Sequence, residues 1–230
     1  MLNSNLCISI VTKLAHQMQR HTMNSLKEYA GAACVQYDIG GEVDWVNNTI
    51  GSFRLEAHKK IKHEYVFWLD SDDKLINPFP DIDDYLDYDV FFFPYIDECD
   101  QYMCLFKNPS YRSASTPRII ARTDYMVEWL EEFEASELIR EDCFILSKIF
   151  EGCINKELKV KFFPYPLVHK RGARCGSSSV FNEVGSREIA NVWVPFFHRK
   201  LRSRFNRILI DNEATKTELP KNVFIPNKGK

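Results

Sequence analysis

Glycine is scarce in this 230-residue chain, with nine in all. Folds that cradle a phosphate on backbone amides cluster glycines just after a strand. Residues 11–19, which follow the first apolar run, contain none, so a glycine-loop nucleotide site is excluded there. Seven cysteines are present without a C-x-x-C pair, which argues against bound zinc and against a disulfide scaffold. They read as reduced, mostly buried thiols. No apolar run approaches the roughly 18 residues of a membrane helix, and no basic stretch precedes the short apolar run near Met1. The expectation is a cytoplasmic protein. Net charge is also small, at −2, which excludes a chain that is basic or acidic throughout.

What is present is an ordinary globular composition, 45% hydrophobic and 27% charged, with an unusual 13% of aromatics. Seventeen Phe and ten Tyr imply bulky packing layers, and the length fits one domain of the larger kind. The charge is segregated. Between Asp70 and Asp100 stand eleven acids and one Lys, whereas Lys159 to Arg207 carries eleven Lys or Arg and two Glu. Such runs usually form solvated surface; the sharper reading is an acidic, metal-collecting turn opposite a basic wall that holds an anion.

Along the chain, Leu6–Val11 reads as a buried strand, and Met18, Thr22, Leu26 and Tyr29 recur at helical spacing. A second strand ends at Asp38, residues 51–63 read as helix, and Tyr65–Leu69 is a third strand. Two βαβ units in succession predict an α/β fold with a mainly parallel central sheet flanked by helices. Ligands of such sheets bind outside the carboxyl ends of the strands, where Asp38 and Asp70 fall. Tyr88–Tyr95 reads as a further buried strand, and residues 107–118 as a Ser- and Pro-rich loop. Two helical patterns follow between Arg122 and Phe150, the second with Leu138, Cys143 or Phe144, Leu146 and Ile149 or Phe150 on one face. Residues 160–168 are extended. The division expected is a catalytic domain over residues 1–185 and an amphipathic basic helix, bent at Pro195, with a tail over 186–230.

Asp70-Ser71-Asp72-Asp73 follows its strand with no intervening loop. Carboxylates in that place are held rigidly, and a D-x-D pair suits a hard divalent cation such as Mg²⁺ or Mn²⁺ while leaving positions for water and phosphate oxygens. The competing reading is a chain reversal, since Asp, Ser and Asn are turn formers. Haloacid-dehalogenase phosphatases need Asp-x-Asp-x-Thr or Val at this point, and the chain has Lys74 in place of the Thr or Val.

Gly51 to Leu75 resembles the family 2 glycosyltransferases of GT-A fold, whose pattern runs from a Gly through Ala-Arg-Asn and a helix to G-E-Y-I-x-F-L-D-S-D-D. Gly51, Arg54, Glu64, Tyr65, Leu69 and the acidic turn are kept, with sixteen residues from Arg54 to Asp70; Phe53, Leu55 and His63 depart from the pattern. The family's V-D-D-G-S corresponds to Tyr37-Asp38-Ile39-Gly40-Gly41, and its later Glu-Asp pair to Glu141-Asp142. The resemblance implies a metal-dependent hexosyl- or pentosyltransferase that uses a nucleotide-diphosphate sugar, a UDP-sugar above all. It implies Asp38 on the base, Asp70 and Asp72 on Mn²⁺ or Mg²⁺, and Asp142 as general base with Glu141 positioning, giving inversion. Arg54, Asp70, Lys170, Arg171 and Arg174 would attend the nucleotide-sugar, and His169 is an additional candidate metal ligand, although a lone His after a strand is more often structural.

The acceptor implied is a hydroxyl of a glycan or lipid-linked chain. Arg199, Lys200, Arg202, Arg204 and Arg207 leave two alternatives open, a modified base in nucleic acid and a peripheral anionic membrane surface; the plainer reading of that helix is core packing with a solvated back. A reading of another class is a degenerate transferase that only binds nucleotide or protein, to which the changes at Ile39, Gly41 and Leu55 lend weight.

Overall fold

Strands apolar at every position must be covered on both faces, which is the condition of a parallel sheet between helical layers. The structure, a computed structural model, describes residues 4–12, 20–39, 49–71, 73–93, 95–97, 103–104, 118–136, 141–163, 165 and 167–170. In it β1 (Leu6–Thr12), α1 (Arg20–Tyr29), β2 (Cys34–Ile39), α2 (Thr49–His58) and β3 (Tyr65–Trp68) form the two expected βαβ units. Both β2 and β3 pair with β1 in parallel. There follow β4 (Lys74–Leu75), a 3₁₀ turn (Ile82–Tyr85), β5 (Val90–Phe93), β6 (Tyr95–Asp97), β7 (Met103–Cys104) and β8 (Arg118–Arg122). Then come α3 (Thr123–Glu134), α4 (Glu141–Asn155), β9 (Val160–Phe162) and β10 (Val168–Lys170).

The main sheet runs β2-β1-β3-β8-β5-β9. Five of its strands share one direction, and β8 alone runs against its neighbours β3 and β5. This is the mainly parallel α/β sheet that the alternation predicts and the GT-A resemblance implies. A second sheet, β4-β10-β6-β7, stands beside it.

Three local expectations are corrected. Helix α2 ends at His58 rather than residue 63: Lys60 N–H bonds to Ala57 O and Ile61 N–H to His58 O, a tightened last turn, after which Tyr65 N–H is free of the helix and bonds to Asn5 O at 2.9 Å. The apolar run from Tyr88 to Tyr95 is two strands in two sheets, with a proline between them in sequence that brings no N–H to a ladder. Strand β8 is unanticipated, because its three apolar residues between two arginines are too few to stand out of a polar stretch. The 107–117 part of the expected loop, Met18, and the 186–230 helix and tail lie outside the described residues.

Alternation along the strands sorts side chains to the two faces. Leu6, Ile8, Ile10, Tyr65, Phe67, Phe91, Phe93 and Ile120 pack with Leu26 of α1 on one side. Val66, Val90, Phe92, Ile119 and Ala121 pack with Leu55 of α2, Met126, Trp129 and Leu130 of α3, and Ile145 and Ile149 of α4 on the other. The aromatics concentrate on the first face: Phe93 and Phe163 stack at 5.0 Å, and Phe67 meets Phe79 edge-on at 5.1 Å. Each fully buried side chain of this size stabilises the fold by about 1.5–3 kcal/mol relative to exposure. Among the described residues no helix is long and apolar enough to cross a membrane.

Candidate functional site

Asp38 and Asp70 stand at the carboxyl ends of β2 and β3, as the strand pattern requires. Asp38 is still within the ladder, opposite Val11. Leu69 N–H donates to Ser9 O at 3.0 Å, so the backbone is held up to the residue before Asp70. The chain then reverses, with Asp73 N–H bonded to Asp70 O at 3.1 Å. The turn reading and the display of carboxylates are therefore compatible.

Two buried hydroxyls of α1 hold that turn. Thr22 Oγ1 lies 2.6 Å from Asp73 O and 3.1 Å from Ser71 O, while Ser25 Oγ donates to Thr22 O and accepts Leu75 N–H at 3.0 Å. A buried hydroxyl needs such partners, and here the partners are the backbone of the acidic turn. Asp73 itself is fully buried. Asp72 lies outside the described residues.

Arg54, on α2, is the centre of the site. One guanidinium nitrogen donates to Asp70 Oδ1 at 3.1 Å and the other bonds to Glu141 Oε1. The guanidinium carbon sits 3.2 Å over the Trp68 ring, a cation–π stack. Trp68 Nε1 in turn donates to Asp70 Oδ1 at 3.3 Å. Glu141 is the first residue of α4, where the helix N-terminus favours negative charge. The Arg54 and Glu141 side chains are only 11% and 6% exposed, while Asp70 is more open at 28%. One cation thus ties a strand end to a helix start that are far apart in sequence.

Asp38 has its own supports. Gln36 Nε2 donates to Asp38 Oδ2 at 2.6 Å and to Ala57 O at 2.8 Å, and Lys60 Nζ lies 3.0 Å from Asp38 Oδ1. Below it, His58 is buried with Nδ1 at 2.6 Å from Arg54 O. A carbonyl can only accept, so Nδ1 carries the proton. Burial lowers the His58 pKa to about 4, assisted by the Arg54 charge and opposed by the carbonyl bond, so the ring is neutral at pH 7.

The remaining expected site residues are placed by backbone alone or not at all. Asp142 is the second residue of α4. His169 and Lys170 lie in β10, where His169 pairs with Lys74 of β4 and Lys170 with Asp97 of β6. The side chains of these three, and all of Arg171 and Arg174, lie outside what is described. The sequence reading missed Trp68, Gln36, Lys60, Thr22 and Ser25. A signal existed for Thr22, a hydroxyl at a position where helical periodicity asks for an apolar residue; nothing local marks the others.

No protein-family model and no curated protein matches the chain. Among solved structures it is similar to S. aureus TarS 1-349, with 14% identity over 73% of this chain and 60% of that one at a TM-score of 0.47. It is similar to S. aureus TarS, with 13% identity over 83% of this chain and 39% of that one at 0.49. It is also similar to a glycosyltransferase involved in the glycosylation of the major capsid of PBCV-1, with 14% identity over 79% and 99% at 0.46. The chain thus spans 60% and 39% of the two TarS chains.

Proposed function

We propose that the chain is a metal-dependent glycosyltransferase that moves a hexose or pentose from a nucleotide-diphosphate donor, a UDP-sugar, to an acceptor hydroxyl with inversion. One observation carries this reading: Arg54 holds Asp70 and Glu141 together, so the acidic turn and the Glu-Asp pair, two motifs of the resemblance, meet at the carboxyl edge of the sheet. That edge is where open α/β sheets take their ligands.

The residues fit a hard divalent cation. Asp70 and Asp72 offer carboxylate oxygens beside a buried strand end, and the β4–β10 pairing sets the backbone of His169 opposite Lys74, two residues past Asp72. Asp70 and Asp72, with His169, would hold the Mn²⁺ or Mg²⁺, which when bound neutralises charge on the diphosphate. Asp38 accepts a hydrogen bond from the base. Arg54 fixes the orientation of Asp70 and Glu141, and Lys170, Arg171 and Arg174 supply positive charge to the diphosphate. Asp142 takes the proton of the acceptor hydroxyl as that oxygen bonds to the anomeric carbon; the bond to the donor phosphate oxygen breaks, and its electron pair leaves with the nucleoside diphosphate. The acceptor is a hydroxyl of a glycan or a lipid-linked chain.

A panel of nucleotide-sugars with and without Mn²⁺, read by thermal unfolding, tests the donor. A ligand at 100 times its dissociation constant adds about 2.7 kcal/mol; no shift with any donor in either condition would overturn the proposal. For the base, Asp142→Asn is expected to keep donor binding and lose about 10²–10⁴ in turnover. Unchanged turnover removes Asp142 from that role.

A further inference from the structure

At the opposite end of the strands three metal-ligating side chains meet. Cys7 is the second residue of β1 and Cys34 the first of β2, and the two are register partners in the parallel ladder. His63 precedes β3 by two residues. The two sulfurs and a ring nitrogen of His63 all lie within 4.8 Å of one another. We propose that Cys7, Cys34 and His63 form a Cys₂His site for zinc, with a fourth position left to water, and that the bound ion clamps the start of edge strand β2 to the rest of the sheet.

The ligand chemistry selects the ion. Thiolates and imidazole suit Zn²⁺, whereas Mg²⁺ and Mn²⁺ prefer oxygen, so this site and the acidic turn take different metals. With Zn–S of about 2.3 Å and Zn–N of about 2.0 Å, tetrahedral ligand atoms stand roughly 3.5–3.8 Å apart. Closing from within 4.8 Å takes side-chain adjustment of about an ångström or less.

The backbone under the ligands is fixed. The ladder holds Cys7 against Cys34, and Thr123 pins the third ligand's segment, donating from Oγ1 to His63 O and from its N–H to Glu64 O, both at 2.8 Å. His63 also lines an open cavity of about 580 Å³ with Lys59, Glu64 and Arg122. Asp38 lies four positions after Cys34 along β2, about 13 Å at 3.3 Å per residue, so the cluster is remote from the carboxyl edge.

Other roles for the pair fit less well. Cys7 is fully buried, whereas reactive cysteines sit in partly exposed surroundings. A clamp, by contrast, has an evident use here. Among the described residues β2 is the outermost strand of the sheet, paired on one side only, with Val35 and Tyr37 about 40% exposed. The absence of C-x-x-C spacing does not bear on such a site, because its ligands come from three separate segments.

The whole chain, reduced and freed of metal by a chelator, is titrated with Co²⁺ and then with Zn²⁺. We expect one thiolate-to-cobalt charge-transfer band at one ion per chain, displaced by Zn²⁺, untouched by a large excess of Mg²⁺, and accompanied by a higher melting temperature. Cys34→Ser and His63→Ala, both at half-buried positions, should each weaken binding by at least about tenfold, the scale of losing even an outer partner of a ligand. The proposal is overturned by a folded, reduced protein that gives no band, by a band that survives the Cys34→Ser/His63→Ala double variant, or by a Cys7–Cys34 disulfide that forms as readily with zinc present as without it.

Discussion

Replacing Arg54 by Met keeps an unbranched apolar stem under the Trp68 ring and removes the charge between Asp70 and Glu141. The Glu141 side chain is 6% exposed and Arg54 11%, so this half of the clamp is a buried pair, and deleting one partner of such a pair costs about 3–5 kcal/mol. Asp70, at 28% exposed, is screened by water and adds less than about 1 kcal/mol. Loss of the cation from Trp68 adds about 1 kcal/mol. The sum is about 4–7 kcal/mol, a large share of the roughly 5–15 kcal/mol of a whole domain. Even the lower figure lowers the melting temperature by about 8–16 °C for a chain of this length. Glu141→Gln removes the same interaction from the other side, so urea unfolding of the two single variants and the double closes a cycle. We expect a coupling of about 1.5–3 kcal/mol, the worth of a hydrogen bond to a charged group, with Arg54→Lys falling between wild type and Met. If the two single effects simply add, to within about 0.5 kcal/mol, Arg54 and Glu141 do not touch in solution and the clamp is refuted.

His58 sets an acid limit on the fold. Its folded pKa of about 4 lies below the unfolded value near 6.5, so its contribution is whole above pH 6.5 and is lost as pH falls toward 4. At pH 5 the loss is about 2 kcal/mol; His58→Asn, which keeps a donor toward Arg54 O, should flatten the difference between unfolding curves at pH 7.5 and 5, and equal slopes in both proteins would dismiss the assignment. Two left-handed residues give opposite outcomes in thermal melts. Gly31, at φ 60 after α1, has open space where a Cβ would go, yet Gly31→Ala should cost about 1 kcal/mol through the backbone alone; Lys156, at φ 61 after α4, should gain up to about 1 kcal/mol on Lys156→Gly.

Features that depend on neighbours along the chain were legible in the sequence. Tyr65–Leu69 is too apolar to be anything but a buried strand, which placed Asp70 at its end, and the helical pattern after Arg122 is α3, which buries Met126, Trp129, Leu130 and Phe133. On α4, Ile149 is buried as the stripe expects and Ile145 and Cys153 are buried beside it, while Phe144 is half-buried and leans on Phe133 at 5.6 Å; Leu138 and the side chains of Cys143, Leu146 and Phe150 lie outside what is described. A long amphipathic helix with apolar residues on adjoining faces does not say which face turns inward until its partners are known. The resemblance brought Arg54 and Glu141 forward separately, but their contact spans 87 residues and is a property of packing. The same holds for Gln36 and Lys60 around Asp38, and for Cys7, Cys34 and His63, whose spacing carries no periodicity at all.

Strand β8 fills the gap between β3 and β5 by pairing backwards with both, and this has a consequence for a chain emerging from the ribosome. The unit from β1 to β3 forms its own two parallel ladders and can assemble first. One edge of β3 then faces water until Arg118–Arg122 is made, roughly 57 residues after Tyr65, about 3–11 s at 5–20 residues per second. During that interval the four residues Tyr65–Trp68 offer an apolar strand with unpaired amides, the feature through which sheets recruit foreign strands. A nascent chain arrested short of Arg118 would therefore be prone to aggregate, whereas one arrested after Arg122 would have the edge closed.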